Sequence, residues 1–161
     1  MIYPRIKYGI CAYGFTNKAN MDKVQVLQNK LLKVILEKTR RHPTAKLHTE
    51  VNVLKVKDIF YQEISSFVNK YLRRALPLVF TDYFQFVNHS YGTRGNLSSL
   101  KSPLCRTEIG KKTVRFKGCE VWNNLSHEQK NIRNPKMFRK GIKETIIKGY
   151  RNVDLPPTSF N

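Results

Sequence analysis

Val56-Lys-Asp-Ile-Phe-Tyr-Gln-Glu-Ile-Ser-Ser-Phe-Val-Asn-Lys-Tyr-Leu-Arg-Arg74 carries the fold in its spacing. Val56, Phe60, Ile64, Phe67 and Tyr71 recur at intervals of four, four, three and four, with Ile59 beside them. That period predicts one helix with a broad apolar face. Pro77 is its expected terminator. Upstream, Val24, Leu27, Leu31, Val34 and Ile35 predict a helix over about Asn20–Thr39. Its expected N-cap is Asn20, and it should stop before Arg40-Arg41-His42-Pro43, because a residue before proline disfavours helix. Thr44 is placed to cap a short helix reaching about Val51. Leu78–Phe86, rich in aromatics, reads as another helical turn or two.

Downstream, residues 88–106 lose all periodicity and read as a loop. Thr113-Val-Arg-Phe116 alternates like a short strand, and Glu120–Leu125 is helical around the only tryptophan, Trp122. Asn134 followed by Pro135 opens a last helix, with Phe138, Ile142 and Ile146 on one face and Lys136, Lys140 and Lys143 on another. The expected fold class is mainly α. Two small helical units, 1–87 and 107–152, are joined by the irregular loop 88–106, with at most a short strand or hairpin near 106–117 and a frayed tail at 153–161.

Thirty Lys and Arg stand against eleven Asp and Glu, a formal charge of +19 in 161 residues. The excess is even, with +10 in residues 1–80 and +9 in 81–161, so no separate basic tail carries it. Hydrophobic residues at 40% are too many for a disordered basic segment, so a core forms and the charge surrounds it. Such an imbalance repels itself and calls for a polyanionic partner. Cys11, Cys105 and Cys119 are odd in number and far apart, which points to a reducing compartment. No run is apolar enough to span a bilayer, and the first residues lack the pattern of a secretory signal. The expectation is an intracellular protein, nuclear or cytoplasmic, not secreted and not in a membrane. Tyr3, Ile6, Tyr8 and Ile10 read as the interior of a structured segment, so the chain is expected to be a piece of something longer.

The carboxylates are isolated; Asp58 and Glu63, five apart, do not share a helix face. No aspartate pair is present to hold two magnesium ions. Neither the cysteines nor His42 and His48 have zinc spacing, and no nucleophile elbow or Gly-rich phosphate loop occurs. No catalytic residue, metal, cofactor or small-molecule substrate is therefore expected.

Basic and aromatic residues remain as the candidates for nucleic-acid binding. In His89-Ser-Tyr91-Gly-Thr93-Arg94 the aromatic suits base stacking, and the Arg and Thr suit phosphate. A core-facing Tyr91 with Arg94 on loop carbonyls accounts for the same residues equally well. Lys111, Lys112, Arg115 and Lys117 form the second cluster. As a strand, Lys111, Thr113, Arg115 and Lys117 would share a face, which is either a phosphate track or a charged sheet edge. Lys23, Lys30 and Lys33 fall on one flank of the first long helix, where they are either phosphate contacts or a wet face. Trp122, between Val121 and Leu125, reads as core in preference to a ligand stacker.

The order Tyr8-Gly9, Leu27-Gln28-Asn29-Lys30, Thr44-x-x-Leu47-His48, Val56-x-Asp58-Ile59, His89-x-Tyr91-x-Thr93-Arg94, Gly118-x-x-x-Trp122-Asn123-x-Leu125 and Phe138-x-x-x-Ile142-Lys143 spans about residues 3–150. It resembles the C-terminal part of the reverse transcriptase of non-LTR (LINE-type) retrotransposons, of the jockey and chicken-repeat sort. The resemblance implies thumb-like helices and a basic region that hold template and primer downstream of a polymerase palm. It implies a parent RNA-directed DNA polymerase, with the palm domain as a partner if it lies upstream. This chain has no counterpart of the palm's paired aspartates, of an endonuclease or of a Cys/His knuckle, and Ser126 stands where relatives often have Pro. Taken alone the chain is therefore expected to bind RNA or DNA backbone without catalysis, and its start fits a partial or decayed copy of such an element. A free-standing basic binding or interaction protein, captured for host use, is the alternative.

Overall fold

The computed structural model describes residues 3–87 and 99–153. Those residues are mainly helical: α1 (Tyr3–Lys7), α2 (Ile10–Tyr13), α3 (Lys18–Ile35), α4 (Thr44–Glu50), α5 (Val56–Leu72), α6 (Glu108–Lys111), α7 (Val114–Asn123), α8 (His127–Asn131) and α9 (Pro135–Val153), with a 3-10 turn at Leu78–Phe80. The only β pairing among the described residues is an isolated antiparallel bridge, Phe86 with Leu100. The chain divides into two compact units, one of 1–60 with 140–161 and one of 61–139. That division cuts α5 and α9, whereas the sequence reading placed its division at 88–106.

In the first unit Ile6, Ile10, Met21, Leu54, Val56, Ile59 and Ile147 form the core, with Tyr13, Val24, Phe60 and Tyr150 partly buried around it. Gly9, at φ 67, makes the left-handed turn from α1 into α2. Gly14 ends α2, and a Cβ there would stand 2.5 Å from the Ile10 carbonyl oxygen and on the Phe60 ring.

α3 departs from expectation at both ends. Its cap is Asn17, whose Oδ1 accepts from Asn20 N at 3.0 Å, so Asn20 is a first-turn donor and not the cap. It stops at Ile35, ahead of the expected Thr39 and without help from Pro43. Glu37 turns left-handed at φ 52, and Lys38 N donates back to Lys33 O at 2.9 Å. The inward face also differs. Met21, Gln28 and Leu32 are buried, while Leu27, Leu31, Val34 and Ile35 of the expected core stripe are exposed. The cause is polar. The Leu54 carbonyl and the Val56 amide, buried beside α3, need hydrogen-bond partners, and its glutamines supply them.

In the second unit Ile64, Val68, Phe84, Leu100, Cys119, Val121, Trp122, Leu125 and Phe138 are buried. α5 closes at Leu72 through a left-handed Arg74, with Ala75 N donating to Lys70 O at 2.9 Å; the turn is complete before Pro77. Gly118 has no room for a side chain: a Cβ would meet Phe84 Cζ at 2.8 Å and Val68 Cγ2 at 3.1 Å. Trp122 lies against Phe138 with ring centroids 6.2 Å apart. It is core, as its neighbours suggest.

The short strand expected at Thr113–Phe116 is a helix start. Thr113 Oγ1 accepts from Phe116 N, and Thr107 caps α6 in the same way. Two local caps outweigh four residues of alternation. α8 opens on a capping box between Ser126 and Gln129. α9 starts at the cap its sequence predicts, since Asn134 Oδ1 accepts from Lys136 N at 2.9 Å and Met137 N at 3.4 Å.

Candidate nucleic-acid interface

His89, Tyr91, Thr93 and Arg94 lie outside the described residues. The seven other expected contacts divide between the two units. Lys23 and Lys30 project from α3 as exposed side chains two turns apart on one side of the helix. Lys33 is half-buried and donates to the Arg40 carbonyl at 2.7 Å, so its ammonium is held by the chain. In the second unit Lys111 pairs with Glu108 at 2.7 Å and Lys117 with Glu120 at 2.9 Å. The hydrogen bond from Lys111 holds the Glu108 carboxyl below its ordinary range and raises Lys111. Lys112 and Arg115 are exposed at the α6–α7 corner and form no ion pair with a described residue. Because Val114–Asn123 is helical, Lys111, Thr113, Arg115 and Lys117 do not share a face. The track expected from alternation is replaced by a corner of two free cations and two paired ones.

A groove of about 1030 Å³ lies in the same unit, lined by Tyr71, Arg74, Phe80, Asp82, Phe86, Lys101 and neighbouring apolar and neutral polar residues. Phe86 is half exposed, and Arg74 and Lys101 are exposed. Aromatic faces beside two cations can stack a base and hold its phosphate. These residues are not legible as a group in the sequence, because they are up to thirty residues apart and the Phe86–Leu100 bridge is what brings Lys101 beside Phe86.

The motifs Leu27-Gln28-Asn29-Lys30, Thr44-x-x-Leu47-His48 and Val56-x-Asp58 do meet, but in a buried polar cluster of the first unit. Gln28 Nε2 donates to Leu54 O at 2.8 Å. Gln25 Oε1 accepts from Val56 N at 2.8 Å and so caps α5. His48, 1% exposed, has Nδ1 at 3.1 Å from Val53 O and Nε2 at 2.9 Å from Asn29 Oδ1 and 3.3 Å from Gln25 Nε2. Tyr150 donates to Asp58 Oδ2 and accepts from Lys55 N at 3.2 Å, with the Lys55 ammonium 4.6 Å from its ring centre. The Trp122-Asn123-x-Leu125 motif is likewise structural. Asn123 accepts from Leu100 N at 2.8 Å and donates to Leu100 O at 2.9 Å, which holds that segment as a neighbouring strand would.

Burial holds the His48 pKa below its ordinary 6.5, so the ring is neutral in the fold. The Val53 carbonyl can only accept, which places the proton on Nδ1 and leaves Nε2 to accept from Gln25 Nε2 at 3.3 Å. The unfolded chain takes up a proton near pH 6.5 that the folded chain refuses. Stability is therefore full above that pH and falls as the pH drops below it. Urea midpoints should decline from about pH 7 to about pH 5. His48→Gln should flatten that decline, and an equal slope in both proteins would refute the assignment.

No group of His, Cys, Asp and Glu among the described residues has metal-site geometry. No described helix is long and apolar enough to cross a membrane. Comparisons with protein-family models, with curated proteins and with solved structures each give no match to this chain.

Proposed function

We propose that this chain binds nucleic-acid backbone, contacting template and primer as the C-terminal fragment of a non-LTR retrotransposon polymerase and performing no catalysis on its own. The observation that supports this reading most is the unbalanced cation surface. The charge is +19, and Lys112 and Arg115 are exposed without an ion pair to any described residue. The aromatic groove with Arg74 and Lys101 favours a strand with unpaired bases. The motif resemblance supplies the parent activity, RNA-directed DNA polymerase, and leaves this part the task of holding substrate.

The experiment is binding to single-stranded RNA, single-stranded DNA and their hybrid across a salt series. Several phosphate contacts give a slope of several units in log K against log salt. Lys112→Gln with Arg115→Gln should lower that slope by about 2 and weaken all sequences alike, since each phosphate contact contributes about 1. A slope near zero for the wild-type chain would sink the proposal.

A further inference from the structure

The exposed stripe of α3 is the feature least accounted for by phosphate binding. Leu27, Leu31, Val34 and Ile35 are 58%, 42%, 74% and 60% exposed on one helix. Val24, Leu27, Leu31 and Val34 are spaced three, four and three, which is the a/d spacing of two coiled-coil heptads. Val24 is half-buried against the first unit's core, and the other three stand clear of it. In that register Lys23 and Lys30 occupy successive g positions. Neither forms an ion pair with a described residue. Gln28 and Ile35 occupy the e positions, and Gln28 is turned inward onto Leu54 O. The stripe is thus a short seam with the body of the unit on one side and two lysines on the other.

We infer that this seam docks an amphipathic helix of another polypeptide, apolar along its a/d positions and acidic along the flank that meets Lys23 and Lys30. Charge decides the occupant. A second copy laid antiparallel would set Lys23 and Lys30 against the same two lysines, and laid parallel would set them against Gln28 and Ile35. Neither arrangement offers a carboxylate, and both bring +19 against +19. A nucleic-acid strand would satisfy the lysines and leave Leu27, Leu31 and Val34 against phosphate. A helix with Leu or Ile on its seam and Glu on its flank covers the apolar groups and neutralises the cations together.

The test uses the full chain and two labelled peptides of identical composition, each about three heptads long. One has Leu at a and d with Glu at e and g; the other has the same residues scrambled so that no seam forms. At about 0.15 M salt the ordered peptide should bind about tenfold tighter than the scrambled one. Leu27→Ser with Leu31→Ser keeps the charge and should erase that difference. Lys23→Gln with Lys30→Gln should weaken the ordered peptide about threefold or more. Circular dichroism checks that each variant keeps its helix, which exposed positions permit. Equal binding of both peptides, or unchanged discrimination in the double serine variant, overturns the inference. So does self-association of the wild-type chain that the serine variant abolishes, or loss of RNA binding in that variant.

Discussion

Trp122→Ala should lower the free energy of unfolding by about 3–5 kcal/mol, the largest single-residue effect expected in the second unit. The indole is 3% exposed and lies against Phe138, itself 1% exposed. Gly118, one turn earlier on α7, already sits closer to Phe84 than any side chain would allow, so the surroundings are packed tightly and cannot collapse into the vacated space. Chemical denaturation followed by circular dichroism measures the loss. The same variant separates a core tryptophan from a base-stacking one. In conditions where it stays folded, its affinity for single-stranded RNA should match the wild type. A folded variant that loses RNA binding would return Trp122 to the binding surface.

The second large effect is expected at His48. Alanine there removes a ring that is 1% exposed and strips Val53 O and Gln25 of a shared partner. The cavity and the orphaned polar groups together should cost about 3–5 kcal/mol. Gln25 also holds the Val56 amide, so the damage extends to the first turn of α5. His48→Asn keeps one hydrogen-bonding amide and should recover part of the loss. An alanine variant within about 1 kcal/mol of wild type would show that the cluster is dispensable.

The residues also show which parts of the fold the sequence made legible. α5 and α9 were readable because their apolar period and the Asn134–Pro135 start agree with the packing. α8 is equally legible in Ser126-x-x-Gln129, the spacing of a capping box. Thr113 misled because a cap residue and a strand residue are the same letter, and only the following turn of helix distinguishes them. The inward face of α3 could not be read from hydrophobicity. Leu54 O and Val56 N, nineteen or more residues beyond the helix, draw its glutamines inside and leave Leu27 and Leu31 out. At the candidate interface, Lys111 and Lys117 were visible as cations, but their i,i+3 acids became partners only once both segments were helices. Within the described chain Gln28, Asn29, His48, Asp58, Trp122 and Asn123 serve the fold.

The first unit is discontinuous in the chain, and this sets the order in which the protein is able to fold during synthesis. Ile147 belongs to the same core as Ile6, Ile10, Met21, Leu54 and Ile59. Residues 61–139 form their own unit and are complete before Ile147 is made. On a ribosome adding about 5–20 residues per second, the earlier part of that core waits on the order of 4–18 s for its last member. During that interval Ile6, Ile10 and Leu54 lack a partner they are built to meet. Chaperone demand on the nascent chain should therefore concentrate on its first sixty residues, although the second unit is translated later.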